Sequence, residues 1–251
     1  MSKAGKNKFL HIITISITLF LAGCVDTSVE NIPNSFDFHS QLKIVNLTSV
    51  TNAQSISVFN SDGVEVGLFP IGLGQEFPGE GVPFMDILSG SKTFVVHFAG
   101  SPDETFRLSL ESERRIRLYI YNTDSVTTDI LKSTLRYTWQ EKNSENGKGL
   151  FYPDSASVAF LNGTVDAIIA TVIAQSTDID TTIHFEEALA VGGSSSLMLK
   201  APANYTLYFL SDADDTLSIL TLNANALSRY TTVLYGSQGS GTLTSKVYTD
   251  D

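Results

Sequence analysis

The stretch "RIRLYIY", Arg115 to Tyr121, sorts its side chains by strict alternation: Ile116, Leu118 and Ile120 on one face, Arg115, Arg117, Tyr119 and Tyr121 on the other. Successive side chains of a strand point to opposite sides, so a period of two marks a strand with one apolar face. Just upstream, "TFRLSL" opposes Phe106, Leu108 and Leu110 to Arg107 and Ser109. Joined around Glu111 to Glu113, the two stretches read as a hairpin. Matching their apolar faces sets Leu108 against Ile116, Phe106 against Leu118 and Arg107 against Arg117. Like charges directly across a strand pair are mildly destabilising. Arg107, Arg115 and Arg117 beside Tyr119 are therefore a candidate face for an anionic glycan or a partner protein. The alternative is internal neutralisation by carboxylates of a neighbouring strand or of a second domain.

The same alternation runs outward in both directions. "SISVF" turns Ile56 and Val58 inward, and "LRYTW" alternates Leu135, Tyr137 and Trp139 with Arg136 and Thr138. Turn signals such as Asp62-Gly63 separate the strands, and no long stretch shows helical spacing. The expected class is all-β, an antiparallel sandwich. The second half repeats the order of the first. "LKIVNL" from Leu42 is echoed by "SVAFLN" from Ser157, "FVVHFAGSPDETF" by "YTLYFLSDADDTL", and "IRLYIYN" by "YTTVLYG", at offsets of about 111 to 115 residues. A period this long is a duplicated domain, because each unit can bury its own core. The expected layout is a first sandwich over 41–140, a linker over 141–150 ("EKNSENGKG", Glu141 to Gly149) and a second sandwich over 151–251.

"LKIVNLTSVTNAQSISVFNSDG", then "IGLGQEF", then "ILSGSKTFVVHFAG" resembles the bacterial envelope family catalogued as domain of unknown function 4397. The first copy fits from Leu42 to about Asn122. The second departs from it, with no counterpart of Asp62-Gly63 and with "APANYTLYF" replacing "SGSKTFVVHF". The resemblance implies tandem immunoglobulin- or transthyretin-like sandwiches on secreted or lipid-anchored proteins. It implies no enzyme, cofactor or catalytic residue.

The N-terminus supplies an address. Lys3, Lys6 and Lys8 precede an uncharged run, Phe9 to Gly23, too short to span a bilayer. The run ends in "LAGC", and Cys24 is the chain's one cysteine. "LAGC" resembles the bacterial lipobox, which implies a signal peptide over 1–23 and lipidation of Cys24, with palmitate among the acyl chains. Several chains hold a membrane stably where one does not. Aspartate after the cysteine would favour the inner membrane; Val25 stands there, so the outer membrane is favoured. Residues 24–40 are polar and aperiodic and read as a tether. Without its signal the chain would carry 13 basic and 27 acidic residues, a net charge of −14. Such a balance argues against nucleic acid as a partner.

Catalytic chemistry is sparse. No G-x-S-x-G elbow and no G-x-x-x-x-G-K-[ST] loop occurs, and "GLGQEFPGEG" reads as an irregular crossing between strands. His97 reads as a hydrogen-bonded or edge-facing strand residue, and His184 with Glu186 lacks a third metal ligand. "SDADDT" offers Asp212, Asp214 and Asp215 as weak calcium ligands, although none of the acidic stretches matches an EF-hand loop. N-x-[ST] triplets begin at Asn46, Asn162 and Asn204 and read as coincidental glycosylation motifs. The reading is a non-enzymatic envelope protein for binding, adhesion or scaffolding, needing no cofactor. A polysaccharide hydrolase with paired carboxylates or a calcium-stabilised adhesion module is the alternative.

Overall fold

The structure, a computed structural model, describes residues 38–124, 127–135 and 154–250. Among these residues the chain is built of strands and contains no helix. The first set is β1 (His39–Leu47), β2 (Ala53–Asn60), β3 (Glu65–Pro70), β4 (Glu76–Phe77), β5 (Met85–Leu88), β6 (Gly90–Phe98), β7 (Glu104–Leu110), β8 (Arg115–Asn122) and β9 (Thr128–Leu135). The second is β10 (Ser155–Thr164), β11 (Thr171–Ser176), β12 (Thr181–Phe185), β13 (Ser194–Lys200), β14 (Ala203–Leu210), β15 (Thr216–Ala224), β16 (Arg229–Gly236) and β17 (Thr244–Thr249).

Each set folds into two sheets in the same order. In the first, β3-β2-β6-β7 faces β4-β1-β8-β9, with β5 also on β1; in the second, β12-β11-β14-β15 faces β13-β10-β16-β17. The chain is thus two tandem β-sandwiches of one topology. Each inner sheet is centred on a parallel pair, β1 with β8 and β10 with β16, and all other strand pairs are antiparallel. Leu42, Ile44, Ile116, Leu118 and Ile120 fill the first core with Ile56, Val58, Phe94 and Val96. Val158, Phe160, Tyr230 and Leu234 fill the second with Val172, Leu207 and Phe209.

The alternate positions of the inner strands are also buried. Val45, Leu47, Tyr119 and Tyr121 meet Leu161, Val233, Tyr235 and Tyr248 in a third cluster joining the sandwiches. The contact is reciprocal. A Cβ on Gly74 would lie 2.3 Å from the Tyr235 hydroxyl, and one on Gly192 the same distance from the Tyr121 hydroxyl. Both glycines have positive φ, 67° and 74°, so backbone and neighbour alike favour glycine there.

The expected hairpin between "TFRLSL" and "RIRLYIY" does not form. β7 pairs only with β6 at the rim of the outer sheet, whereas β8 lies between β1 and β9, and the chain crosses from one sheet to the other between them. A strand destined for burial on both faces must be central, while a strand with Arg107 and Ser109 facing water can be an edge. The expected tether also ends earlier than 40. His39 and Ser40 already pair with β5, and the Ser40 hydroxyl donates to the Glu111 carbonyl at 2.7 Å. The expected linker, 141–150, lies outside the described residues, as do Tyr137 and Trp139.

Two of the N-x-[ST] triplets have a structural meaning. The Asn46 amide donates to the carbonyls of Ala53 and Ile71, while its oxygen accepts from the Thr48 amide and hydroxyl. Asn162 does the same with Ala167, Leu189 and Thr164. Both side chains are fully buried, so each satisfies loop groups that water cannot reach. Asn46→Leu and Asn162→Leu should each cost about 2–4 kcal/mol, because the loop carbonyls lose their donor. Urea denaturation monitored by tryptophan fluorescence and circular dichroism measures this, and the two losses should be similar.

Candidate functional site

On the junction side of β1 and β8, the polar end of the third cluster holds four charges. Lys43 and Arg117 are register neighbours on the parallel pair. They share the Glu76 carboxylate, Lys43 Nζ at 2.6 Å and Arg117 Nη2 at 3.2 Å. The other guanidinium nitrogen of Arg117 bonds Asp250, just beyond β17, and Nη2 also donates to the Thr249 carbonyl at 3.1 Å. Asp250 accepts in turn from the Thr231 hydroxyl at 2.8 Å. Arg117 is fully buried and therefore clamps the first sandwich to the last strand of the second. Its planar fork permits this, since it reaches two carboxylates and a carbonyl at once. Burial pushes the Tyr119 and Tyr248 hydroxyls above the usual tyrosine range, so both stay protonated beside the cluster, and Tyr248 donates to the Gly74 carbonyl at 3.1 Å.

Above the cluster opens a groove of about 570 Å³. The crossing that contains β4 supplies Glu76, Glu80, Gly81, Val82, Pro83 and Phe84; β1 and β8 supply Gln41, Lys43 and Arg115; β17 and its end supply Lys246 to Thr249. Phe84 organises the cations. Lys43 Nζ lies 5.3 Å from its ring centroid, and the Arg115 and Arg117 guanidinium carbons each lie 5.5 Å from it. A ring face attracts cations, by roughly 0.5–2 kcal/mol each depending on solvation. Lys246 stands over Tyr248 at 5.1 Å and donates to the Gly74 carbonyl. A second groove, of about 350 Å³, is lined by Tyr119, Leu131, Lys132, Ala159, Ser195 and Thr231 and lacks this density of charge.

The sequence-predicted residues are therefore divided. Arg115 lines the groove, Arg117 is buried beside it under Phe84, Tyr119 is buried against Tyr248 and borders the second groove, and Arg107 is exposed on β7 in the other sheet. Arg107 and Arg117 do not oppose each other, and Arg117 is neutralised from within by Glu76 and Asp250. Cys24 lies outside the described residues. Asp212, Asp214 and Asp215 are exposed in a turn ordered by Ser211, whose hydroxyl accepts the amides of Ala213 and Asp215. Among the described residues no three His, Cys, Asp or Glu side chains converge as metal ligands. Sequence reading missed Lys43, Glu76, Phe84 and Lys246. The one available signal was Lys43, a charge inside the apolar "LKIVNL" run.

One further constellation resembles a hydrolase relay. Ser57 Oγ lies 3.0 Å from His97 Nε2, and His97 Nδ1 lies 2.8 Å from the Asp103 carboxylate. Position alone is insufficient, because acyl transfer also needs oxyanion donors and room for a carbonyl. Ser57 is 6% exposed and within 3.5 Å of the Glu65 carboxylate. The nearby 170 Å³ depression takes in Asp103 but neither Ser57 nor His97. The network ties β2 and β6 to the loop before β7.

No protein-family model matches the chain, and no curated protein matches it. Solved structures do. The Bacillus anthracis TIE protein is 10% identical with a TM-score of 0.25; the match covers 80% of this chain and 33% of that one, so this chain spans a third of its length. The family CBM26 module CBMbc of Eubacterium rectale Amy13K, solved with maltoheptaose, is 11% identical at a TM-score of 0.23, covering 84% and 97%. The fimbrial anchor protein Mfa2 from Porphyromonas gingivalis is 7% identical at a TM-score of 0.23, also covering 84% and 97%.

Arg117→Ala should destabilise the protein by about 3–5 kcal/mol, since buried Asp250 loses its countercharge and Glu76 is left with Lys43 alone. Adding Asp250→Asn to Arg117→Met, with Glu76 left paired to Lys43, should recover much of that loss, read as the midpoint of urea denaturation. A fluorophosphonate probe should leave Ser57 unlabelled in peptide mass spectra of the folded protein, because its hydroxyl has no open approach.

Proposed function

We propose that this chain is a non-enzymatic, lipid-anchored protein of the cell envelope that holds a ligand in the groove between its two sandwiches. Its role is binding, adhesion or scaffolding at the cell surface. The observation that carries this reading is the groove itself: about 570 Å³, walled by both halves of the duplication, with Phe84 and Tyr248 flanked by Lys43, Arg115 and Lys246. Ligand sites favour concave places where few polar groups converge on an aromatic wall, and junctions between domains supply them. The apolar run ending in "LAGC" supports lipid attachment at Cys24, and Val25 supports the outer membrane. The duplicated "LKIVNL…FVVHFAG" pattern supports membership of the domain of unknown function 4397 family.

Two variants of the full chain test the reading. Cys24→Ser should move the protein from the membrane to the soluble fraction. Val82→Trp places an indole at an exposed groove position, and purified in detergent it should lose retention on immobilised envelope polysaccharide while keeping its melting temperature. Retention equal to that of the unaltered chain would remove the groove from consideration.

A further inference from the structure

Resting on that reading, we infer that the junction groove receives a dipolar glycan, a sugar chain that bears free ammonium groups as well as carboxylates. Lys246 takes a carboxylate of the ligand and Glu80 an ammonium group. Arg115 is already engaged: its Nε donates to the Gln41 side-chain carbonyl at 3.1 Å, and its guanidinium packs on the Phe84 ring. The other charged groups of the lining are Lys43 and Lys246 against Glu76 and Glu80, two of each sign. Lys43 and Glu76 match each other at 2.6 Å, with both side chains nearly out of water. Arg117, beside the groove, is matched by Glu76 and Asp250. The charges left over are Lys246 on the wall built by β17 and Glu80 on the wall built by the crossing after β4.

Among the described residues neither of these two has an oppositely charged partner within ion-pair distance. An ammonium group carries three donors. Lys246 gives one to the Gly74 main-chain carbonyl at 2.9 Å and stands 5.1 Å from the Tyr248 ring centroid. Both neighbours are uncharged, so its positive charge is left for a ligand. The Glu80 side chain is exposed. One sandwich therefore offers the groove a cation and the other an anion.

The two signs narrow the ligand. A chain of uronates alone would gain Lys246 and be repelled by Glu80, and a polyamine would meet the reverse. A sugar chain that alternates amines and carboxylates satisfies both walls. Its rigid rings hold the charges at a set spacing, so pairing them costs little ordering entropy. Val82 and Pro83, exposed on the Glu80 wall, and the half-buried Phe84 give the C–H faces of such rings an apolar surface. The chain's net charge of −11 matters less, because charges beyond about 8 Å are screened at physiological salt.

The test uses the full chain in detergent with three forms of one hexasaccharide of hyaluronan. The first is fully de-N-acetylated and dipolar, the second is the native N-acetylated anion, and the third is de-N-acetylated and methyl-esterified, a cation. Calorimetric titration is run at about pH 6, where the amines are protonated and the carboxylates ionised. The dipolar form should bind tightest. Capping its amines should weaken it about two- to fivefold, the worth of an exposed pair. Esterifying its carboxylates should weaken it about tenfold, the worth of a charge-assisted hydrogen bond. Glu80→Gln should erase the effect of N-acetylation and keep that of esterification; Lys246→Gln should do the converse. Matched melting temperatures show that the variants fold, and the ranking of the three forms on the unaltered chain decides without them. A capped form that binds as tightly as the dipolar one, or an N-acetylation effect that persists in Glu80→Gln, would overturn the dipolar assignment. If Val82→Trp still blocks all three forms, the groove stands as a glycan site. Binding that ignores Val82→Trp would overturn the groove itself, and no binding of any form would overturn the dipolar glycan.

Discussion

The architecture depends on the burial of the two inner sheets on both of their faces. β1, β8, β10 and β16 each serve two clusters, with alternate residues directed to the sandwich core and to the junction. Strands covered on both faces normally belong to parallel sheets flanked by other layers, and here the central pair of each inner sheet is indeed parallel. Side chains on both faces must then be apolar or fully paired. That requirement explains why "RIRLYIY" carries tyrosines and an arginine on its second face where a solvated strand would carry serine or threonine.

The junction is not uniformly apolar. One end is a cluster of valine, leucine and tyrosine; the other holds Lys43, Glu76, Arg117 and Asp250. Buried ion pairs seldom stabilise more than a well-packed apolar replacement, because dehydrating each ion offsets the attraction. They do penalise any arrangement that separates them. Seated between two sandwiches of one topology, such a cluster fixes which faces meet and in what register. The groove lies above this end, so its walls inherit the fixed geometry.

Duplication produced two halves that are no longer interchangeable. Tyr121 and Tyr235 pack on Gly192 and Gly74 in a reciprocal exchange, and Asn46 and Asn162 keep identical bonding. Elsewhere the copies have diverged to fit each other. Leu47 lies against Gly163, where a Cβ would come within 2.8 Å of its Cδ1. On β8 Arg117 reaches Asp250; on β16 it is the short Thr231 that does. Among the described residues the groove lined by Lys43, Arg115 and Lys246 is the more charged of the two at the junction, and the second, near Lys132, is smaller.

Alternation in the sequence determined the strands and the sides of their residues. Ile56, Val58, Ile116, Leu118 and Ile120 are all buried as their spacing requires. The echo of the first half in the second fixed a pair of sandwiches. Local rules reach this far because a strand's period depends only on the chain's own pleat. What covers the second face of a strand is another matter, since it depends on contacts between residues far apart in the chain. Arg117 and Tyr119 read as outward-facing from their own segment and are buried, because the other sandwich supplies Thr231, Tyr248 and Asp250. The Asn46 and Asn162 triplets likewise gained meaning only once the loops folded over them. Phe84, Glu76 and Lys246 come from segments with no shared sequence pattern, and only the packing of one sandwich on the other brings them to a common groove.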